Sequence, residues 1–327
     1  MITQQHQVSL ATPSEQRAMG GKQICPRCRQ KTFVPFLDEN RQIIDASVGR
    51  CERVNSCAYL YTPSEYFEDN QAIGIVKPRR SSRPMFQTQP RPTYIDTDIF
   101  KRSVKATMSH HNNLVDYLKT VFDVEIVNRM ISDYSIGTSR HWQGATVFWQ
   151  IDQFRKVRRG KIMQYNAING KRVKEPFAHV TSVHKVMNLG DNQPQQCLFG
   201  LRLLEQYPDM TVGVVESEKT AIIASGIFGD CIPLACGGCG MLTAAMCEPL
   251  RGRDVVLFPD NGKFQEWSEK GKQMRHLFGR LRVADIMERE AINPGDDIAD
   301  LIVQRYAEWC AAYPGQVVPI NLGLTEL

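Results

Sequence analysis

A multi-domain α/β fold is predicted by two features of the sequence. Residues 211–216 and 254–260 are apolar runs that end in a carboxylate and lead into helical patterns, as buried parallel strands do. Upstream, four cysteines in two pairs flank a hairpin signal, which is typical of a small metal-dependent module. A chain of 327 residues with 42% apolar content is long enough for two or three domains with cores of their own.

Composition narrows the classes of function. No apolar run approaches the roughly 18 residues that a membrane span needs, and the first thirty residues contain no apolar leader. We therefore expect a cytoplasmic protein without a membrane partner, whose ten cysteines are thiols or metal ligands rather than disulfides. The net charge is +5, and basic residues are concentrated at 77–102 and 155–174. This distribution predicts a polyanionic partner, although a well-solvated basic face would also explain it.

A zinc-ribbon domain is predicted at residues 1–72. Its first part, residues 1–20, is expected to be irregular. Strand-like residues 32–37 and 42–46 lie between the two cysteine pairs and are separated by a polar turn. Four thiolates on two such knuckles make a closed tetrahedral site, so we expect a structural Zn²⁺. Its predicted ligands are Cys25, Cys28, Cys51 and Cys57.

Aromatic side chains accompany the basic residues of this module. Tyr59 and Tyr61 follow the last cysteine, and several arginines and lysines lie around the pairs. Such a mixture suits single-stranded nucleic acid, which combines phosphates with stackable bases. The tyrosines would equally well pack against the ribbon itself, so both interpretations remain open.

The next two segments differ sharply in composition. Residues 73–96 are rich in proline and arginine and are expected to form a semi-rigid linker. Residues 97–207 begin with helical patterns, the first running from Asp98 through Phe122, and continue with a strand pair at 145–151 and 160–165. We interpret them as a basic helical and β-stranded subdomain.

Basic residues at and after the turn of that strand pair are candidates for binding nucleic acid or nucleotide phosphates. Binding of this kind loses affinity steeply with added salt. A solvated hairpin is the alternative. The candidates are Arg155, Arg158, Arg159, Lys161, Lys171 and Lys174.

The unit predicted at 208–312, before a tail at 313–327, contains the candidate catalytic residues. Glu216 and Asp260 each end a strand, and parallel strands bring such residues to one edge of the sheet. Two neighbouring carboxylates repel unless a cation lies between them, and oxygen ligands favour Mg²⁺ or Mn²⁺. Alternatively, each acid only caps a helix. A second CxxC, Cys236 and Cys239, suggests either another zinc site or small residues at a tight turn.

These residues resemble the Toprim domain of primases and type IA topoisomerases. Glu216 matches the glutamate of that family, and Asp260 matches the first aspartate of its Asp-x-Asp. Gly262 stands where the second aspartate would be, so one metal ligand is missing from the pattern. The resemblance implies a catalytic Lys219 facing phosphate, and further acids from the segment that follows. These acids are Asp296 and Asp297, as added Mg²⁺ ligands, and Asp300.

The order of ribbon, basic subdomain and Toprim-like unit resembles bacterial DNA primases over nearly the whole chain. Among them, it is similar to primase-like proteins on mobile elements of anaerobic gut bacteria. The resemblance implies primer synthesis from nucleoside triphosphates on single-stranded DNA, with a helicase or relaxase as a further partner. Two alternatives are a Toprim nuclease and a degenerate site that only binds nucleic acid.

Overall fold

A computed structural model describes residues 8–53, 57, 59–69, 94–189, 196–290, 293 and 295–319. The chain divides into two compact units, Met1–Gln87 and Thr88–Leu327. Most of the predicted linker at 73–96 lies outside the described residues. No described helix is long and apolar enough to cross a membrane.

The first unit is an antiparallel ribbon with the sheet order β1-β2-β3-β4. The predicted strand at 42–46 is wrong, because only an isolated bridge joins Leu37 to Ile43 and β2 pairs with β3 instead. The Asp38 carboxylate accepts hydrogen bonds from the backbone of Asn40 and Gln42, so this segment is used in a turn. The elements are β1 (Ser9–Leu10), α1 (Pro13–Ala18), β2 (Phe33–Leu37), β3 (Gly49–Cys51), β4 (Leu60–Tyr61) and α2 (Pro63–Asp69).

Helix α1 corrects the expectation of an irregular stretch at 1–20. The Thr12 hydroxyl accepts from the backbone of Glu15 while the Glu15 carboxylate accepts from the backbone of Thr12, which is a complete capping box. Pro13 occupies the first helical position, where its missing N–H costs nothing. An ion pair between Glu15 and Arg41 also ties the helix to the turn after β2.

The second unit begins with helices followed by an antiparallel sheet of order β5-β6-β7-β8. The long helix predicted from Asp98 is two helices, because the buried Asn112 caps the second through the backbone N–H groups of Leu114 and Val115. The elements are α3 (Thr97–Ser109), α4 (Asn113–Val121), α5 (Val124–Tyr134), β5 (Gly137–Ser139), β6 (Ala145–Ile151), β7 (Val157–Met163), β8 (Val180–Ser182), α6 (Val183–Val186) and α7 (Leu203–Gln206).

A parallel sheet of order β10-β9-β11-β12 follows, which confirms the predicted α/β class. Pro233 lies in β10, an edge strand, where its missing N–H leaves no neighbour unpaired. The elements are β9 (Thr211–Val215), α8 (Glu218–Ile227), β10 (Cys231–Ala235), α9 (Ala244–Cys247), β11 (Val255–Leu257), α10 (Phe264–Met274), β12 (Leu281–Val283), α11 (Ile286–Glu290) and α12 (Ile298–Ala312).

One hydrophobic core joins the two sheets of the second unit. Phe148 and Tyr165 from the antiparallel sheet belong to the same buried cluster as Val212 and Val214 from the parallel sheet. Burial of each such side chain contributes roughly 1.5–3 kcal/mol, so the sheets are held in a fixed relation. The predicted division between residues 97–207 and 208–312 stays a prediction.

Candidate functional site

The four cysteine sulfurs of the ribbon form a compact cluster. Their Sγ atoms all lie within 4.8 Å of one another. The Cys25 and Cys57 sulfurs are 3.7 Å apart, and those of Cys28 and Cys51 are 3.9 Å apart. A tetrahedral ion with zinc–sulfur bonds of about 2.3 Å requires sulfurs roughly 3.8 Å apart. The cluster therefore fits a structural Zn²⁺.

Hydrogen bonds prepare part of the cluster for metal binding, which requires thiolates. The backbone N–H of Gln30 is the main cause that lowers the pKa of Cys28 to about 6. The Thr32 hydroxyl, 3.3 Å from the Cys51 sulfur, lowers the pKa of Cys51. Burial raises the pKa of Cys57 to about 11, and a bound Zn²⁺ opposes this shift because coordination deprotonates a thiol.

The two tyrosines after the last cysteine are used inside the ribbon unit. The Tyr59 hydroxyl donates to the carbonyl of Ser47 at 2.9 Å, and its ring lies 5.9 Å from that of Phe33. The Tyr61 hydroxyl donates to Asp69 at 2.6 Å. Packing on the ribbon thus accounts for the positions of both rings.

Glu216 and Asp260 lie at the same edge of the parallel sheet. Strand β9 pairs directly with β11, with Val214 opposite Leu257, so each acid comes shortly after the end of its strand. Both residues are half-buried. Within the described part of the chain, no hydrogen-bond donor contacts either carboxylate.

Helix α12 brings two more carboxylates to this edge. Asp297 caps the helix by accepting from the backbone N–H groups of Ala299 and Asp300, and its other oxygen accepts from the Thr220 hydroxyl at 2.6 Å. Thr220 belongs to α8, the helix that follows Glu216. The acidic segment near residue 297 is therefore tied to the first turn of α8.

Electrostatic repulsion links these acids. Burial raises the pKa of Asp260 to about 8, and the carboxylates of Asp297, Glu216 and Asp300 act in the same direction. Lys263 opposes them only in part. We refer to Glu216, Asp260, Asp297 and Asp300 as the acidic edge.

The raised pKa of Asp260 predicts a pH dependence. The folded protein retains a proton that the unfolded chain releases near the usual value of 3.8, so this group stabilises the fold most at low pH. Its contribution is lost as pH rises through about 8. We expect Mg²⁺ to raise the melting temperature more at about pH 9 than at about pH 6, because only the carboxylate binds the ion. An equal Mg²⁺ effect at both values, or one that survives Asp260→Asn, would contradict this.

Asp296 and the glycine in the Asp-x-Asp position have local structural roles. The Asp296 carboxylate accepts from the backbone of Asn293 at 2.8 Å, and the Asp296 carbonyl accepts from Asn261. Gly262 has φ +80°, and a Cβ there would meet nothing within 4 Å. Its N–H donates to Glu288, an acid of α11 that sequence reasoning missed. Glu288 therefore stabilises the turn after Asp260.

The acidic oxygens are more widely spread than the cysteine sulfurs. Among the described residues, the four cysteines are the one set of three or more His, Cys, Asp or Glu groups close enough to share an ion. Mg²⁺ usually keeps several waters and takes only one or two carboxylates together with substrate phosphates. The donor chemistry of the acidic edge suits such an ion.

A buried ion pair connects strand β7 of the antiparallel sheet to helix α8, beside this edge. The Lys161 ammonium, on β7, donates to the Glu218 carboxylate at 2.8 and 3.1 Å and to the Gly237 carbonyl at 3.4 Å. The Glu218 side chain is 2% exposed and that of Lys161 is 21% exposed. Lys161 is thus bound within the protein. Burial and the Asp297 carboxylate raise the pKa of Asp300, and Lys219, the residue after Glu218 in α8, opposes this rise.

Removal of Lys161 should destabilise the second unit. Lys161→Met leaves the Glu218 charge buried and unpaired, which costs about 3 kcal/mol. Adding Glu218→Gln should recover a large part of the loss, and urea unfolding of the single and double variants measures both. The matched control is Arg155→Met, whose pair with Glu205 is exposed and is worth less than about 1 kcal/mol. A Lys161→Met protein as stable as wild type would mean that the pair is not formed in solution.

The other predicted basic residues differ in their surroundings. Arg155 pairs with Glu205, and Arg158 donates at 2.8 Å to the fully buried Asp152, so both are held by carboxylates. Arg159 is half-buried, and burial together with the Arg159 charge lowers the pKa of His184. Lys171 and Lys174 are exposed, and no described carboxylate pairs with them.

The second CxxC shows one buried thiol in the described part of the chain. Burial raises the pKa of Cys236 to about 12, and its Sγ lies 3.4 Å from the Gly238 carbonyl. The side chain of Cys239 lies outside the described residues. Gly237 and Gly238 both have positive φ, as a tight turn of small residues requires.

Two segments of the chain match known protein families. Residues 112–261 match a domain of unknown function (DUF6371), and residues 15–72 match the zinc beta-ribbon finger family. No curated protein sequence matches the chain.

Three solved structures are similar at low identity. The DnaG catalytic core is 13% identical with a TM-score of 0.44, over 66% of this chain and 76% of that chain. The DnaG primase catalytic domain bound to ssDNA is 15% identical with a TM-score of 0.34, over 60% of each chain. The primase fragment of the bacteriophage T7 primase-helicase protein is 13% identical with a TM-score of 0.33, over 56% and 68%. The chain thus combines a zinc ribbon with a distant likeness in fold to primase catalytic cores.

Proposed function

We propose that this protein synthesises primers by metal-dependent nucleotidyl transfer on single-stranded DNA. The observation that carries the proposal is the acidic edge, where two half-buried carboxylates without hydrogen-bond donors among the described residues face two more acids. Acids that repel one another at the carboxyl edge of a parallel sheet are the arrangement expected for a divalent-cation site.

The roles of the residues follow from their positions. Glu216 and Asp260 would hold Mg²⁺ or Mn²⁺, and the hydrogen bond from Thr220 to Asp297 keeps α12 beside them. The ion would neutralise charge on a nucleoside triphosphate during in-line displacement. Lys219, on the first turn of α8, would contact phosphate, and the ribbon would help to select single-stranded template.

The direct test is incorporation of labelled nucleoside triphosphates on a single-stranded template with Mg²⁺ or Mn²⁺. Short labelled products are expected from the wild-type chain, and Glu216→Gln serves as the control for contaminating polymerases. Ribonucleotides and deoxyribonucleotides are supplied separately, because the site does not distinguish them by itself. Failure to incorporate either kind with either metal would reject primer synthesis.

A second candidate is a catalytically degenerate protein that only binds nucleic acid. Gly262 in place of a second aspartate favours it, as does the wide spacing of the acidic oxygens compared with the cysteine sulfurs. Tight binding of single strands without incorporation would support this candidate. Cleavage of a labelled single strand in Mg²⁺ without nucleotides would instead indicate a nuclease. A helicase or relaxase partner and a mobile-element setting stay predictions.

A further inference from the structure

A group of aromatic rings lies at one side of the antiparallel sheet, outside the acidic edge. The ring centroids of Phe177 and His179 are 4.5 Å apart with an interplanar angle of 12°, a near-parallel stack. Trp142 lies 5.0 Å from His179, and His141 lies 4.5 Å from Trp142. We call these four residues the aromatic array.

The outermost ring of the array offers a flat apolar face to solvent. Phe177 is 57% exposed, and His179 covers one of its faces, so the other face is open. The Nδ1 atom of His179 lies 2.9 Å from the Phe177 carbonyl, which fixes the imidazole beside the ring. A rigid exposed ring held in this way resembles a stacking surface more than a mobile surface side chain.

Cationic side chains flank the array on the same stretch of chain. Lys171, Arg172 and Lys174 are exposed, and no carboxylate pairs with them in the described part of the protein. The backbone places them beside the array. The N–H of Val173 donates to the Gln164 carbonyl, and the Val173 carbonyl accepts from the N–H of His179. Positive charge and an open aromatic face therefore occur together.

We propose that the aromatic array binds unpaired bases of single-stranded nucleic acid, with Lys171, Arg172 and Lys174 contacting its phosphates. Bases stack on aromatic faces without regard to sequence, and cationic side chains follow the backbone. This inference rests on the proposed function in one respect, because the strand that the array binds would be the template of the proposed polymerase. The ribbon tyrosines are engaged in their own unit, which leaves Phe177 as the better-exposed stacking ring.

The test uses the full-length chain and a fluorescein-labelled oligothymidine longer than the roughly 4–16 nucleotides that such surfaces cover. Binding is followed by anisotropy without nucleotides or Mg²⁺, so the result does not depend on polymerase activity. Phe177→Ala is expected to weaken binding about five-fold or more, because one base–ring stack is worth ~1–3 kcal/mol. Phe177→Trp should retain it, which separates stacking from any loss of structure.

Phe154→Ala is the matched control. Phe154 is 69% exposed, and no described ring lies against it, so this change should leave the affinity unchanged. Lys174→Gln should reduce the slope of log affinity against log salt by about 0.7, whereas Phe177→Ala should not change the slope. Wild-type affinity in Phe177→Ala, or an equal loss in Phe154→Ala, would overturn the proposal.

Discussion

Glu216→Gln is expected to lower metal-dependent nucleotide incorporation by about two to three orders of magnitude. A divalent ion supplies several kcal/mol of charge stabilisation in phosphoryl transfer, and each ~1.4 kcal/mol of barrier is a factor of ten in rate. The amide has nearly the size of the carboxylate that it replaces but carries no charge. Asp260 is then the main remaining ligand of the ion. Single-turnover incorporation at saturating template measures the effect.

Asp260→Asn should act in the same way, and it provides an independent check. The amide carries no charge, so it avoids the desolvation and repulsion that raise the pKa of Asp260. This variant should therefore be at least as stable as wild type without metal. Loss of activity together with unchanged or higher stability would exclude unfolding as the cause.

The control for both variants lies at the opposite end of strand β11. Asp254 precedes that strand, is half exposed, and lies 4.0 Å from Arg280. Asp254→Asn removes one charge from the same strand at a distance from the acidic edge and should keep full activity. Equal loss in all three variants would mean that incorporation does not depend on the position of the acids, and the proposed site would then be wrong.

The parallel sheet was predictable because its signals are local. Strand β9 has the bounds that its apolar run predicts, since a strand buried on both faces is a nearly continuous apolar run. In the antiparallel sheet, β6 also has its predicted bounds, and all seven residues from Ala145 to Ile151 are buried, including the polar Thr146 and Gln150. Glu216 directly follows β9 and Asp260 comes shortly after β11, so the parallel pairing of these two strands brings both acids to one edge of the sheet.

Helix α1 was also within reach of the sequence. Thr12, Pro13 and Glu15 together make the signature of a helix start, a capping box with proline at the first position. The polar composition of the first twenty residues conceals this signal, because no apolar periodicity follows it. A helix start signal nevertheless indicates a helix without such periodicity. At this position the capping residues outweigh the composition.

Contacts between distant segments could not be predicted in this way. The pair between Lys161 and Glu218 joins residues 57 positions apart, and it assigns to the protein interior a lysine that the sequence suggests for nucleic acid. The stack of Phe177 on His179, close to Trp142, likewise depends on how strand β8 and its preceding loop pack. Periodicity and composition contain no information about such partners.

Loss of the ribbon's metal is expected to have the largest effect on stability. Structural zinc sites contribute roughly 10–16 kcal/mol to folding, which equals or exceeds the ~5–15 kcal/mol stability of a typical domain. Among its described residues, the first unit has two small buried clusters, one of Phe33 with the cysteines and one of Ala11, Val34 and Leu37. We therefore expect Cys28→Ser, or chelation of the metal, to unfold the first unit.

Limited proteolysis of the full-length chain, together with zinc analysis, measures this effect. Wild type should contain one zinc ion per chain, whereas Cys28→Ser should contain none and be cut rapidly within the ribbon. The second unit should stay resistant, because its core includes no ribbon residue. Cys310→Ser is the matched control, since this exposed cysteine lies outside the cluster and its loss should leave zinc content and cleavage unchanged. A ribbon that resists protease without zinc would show that its hydrogen bonds and small core suffice, and the four cysteines would then need another explanation.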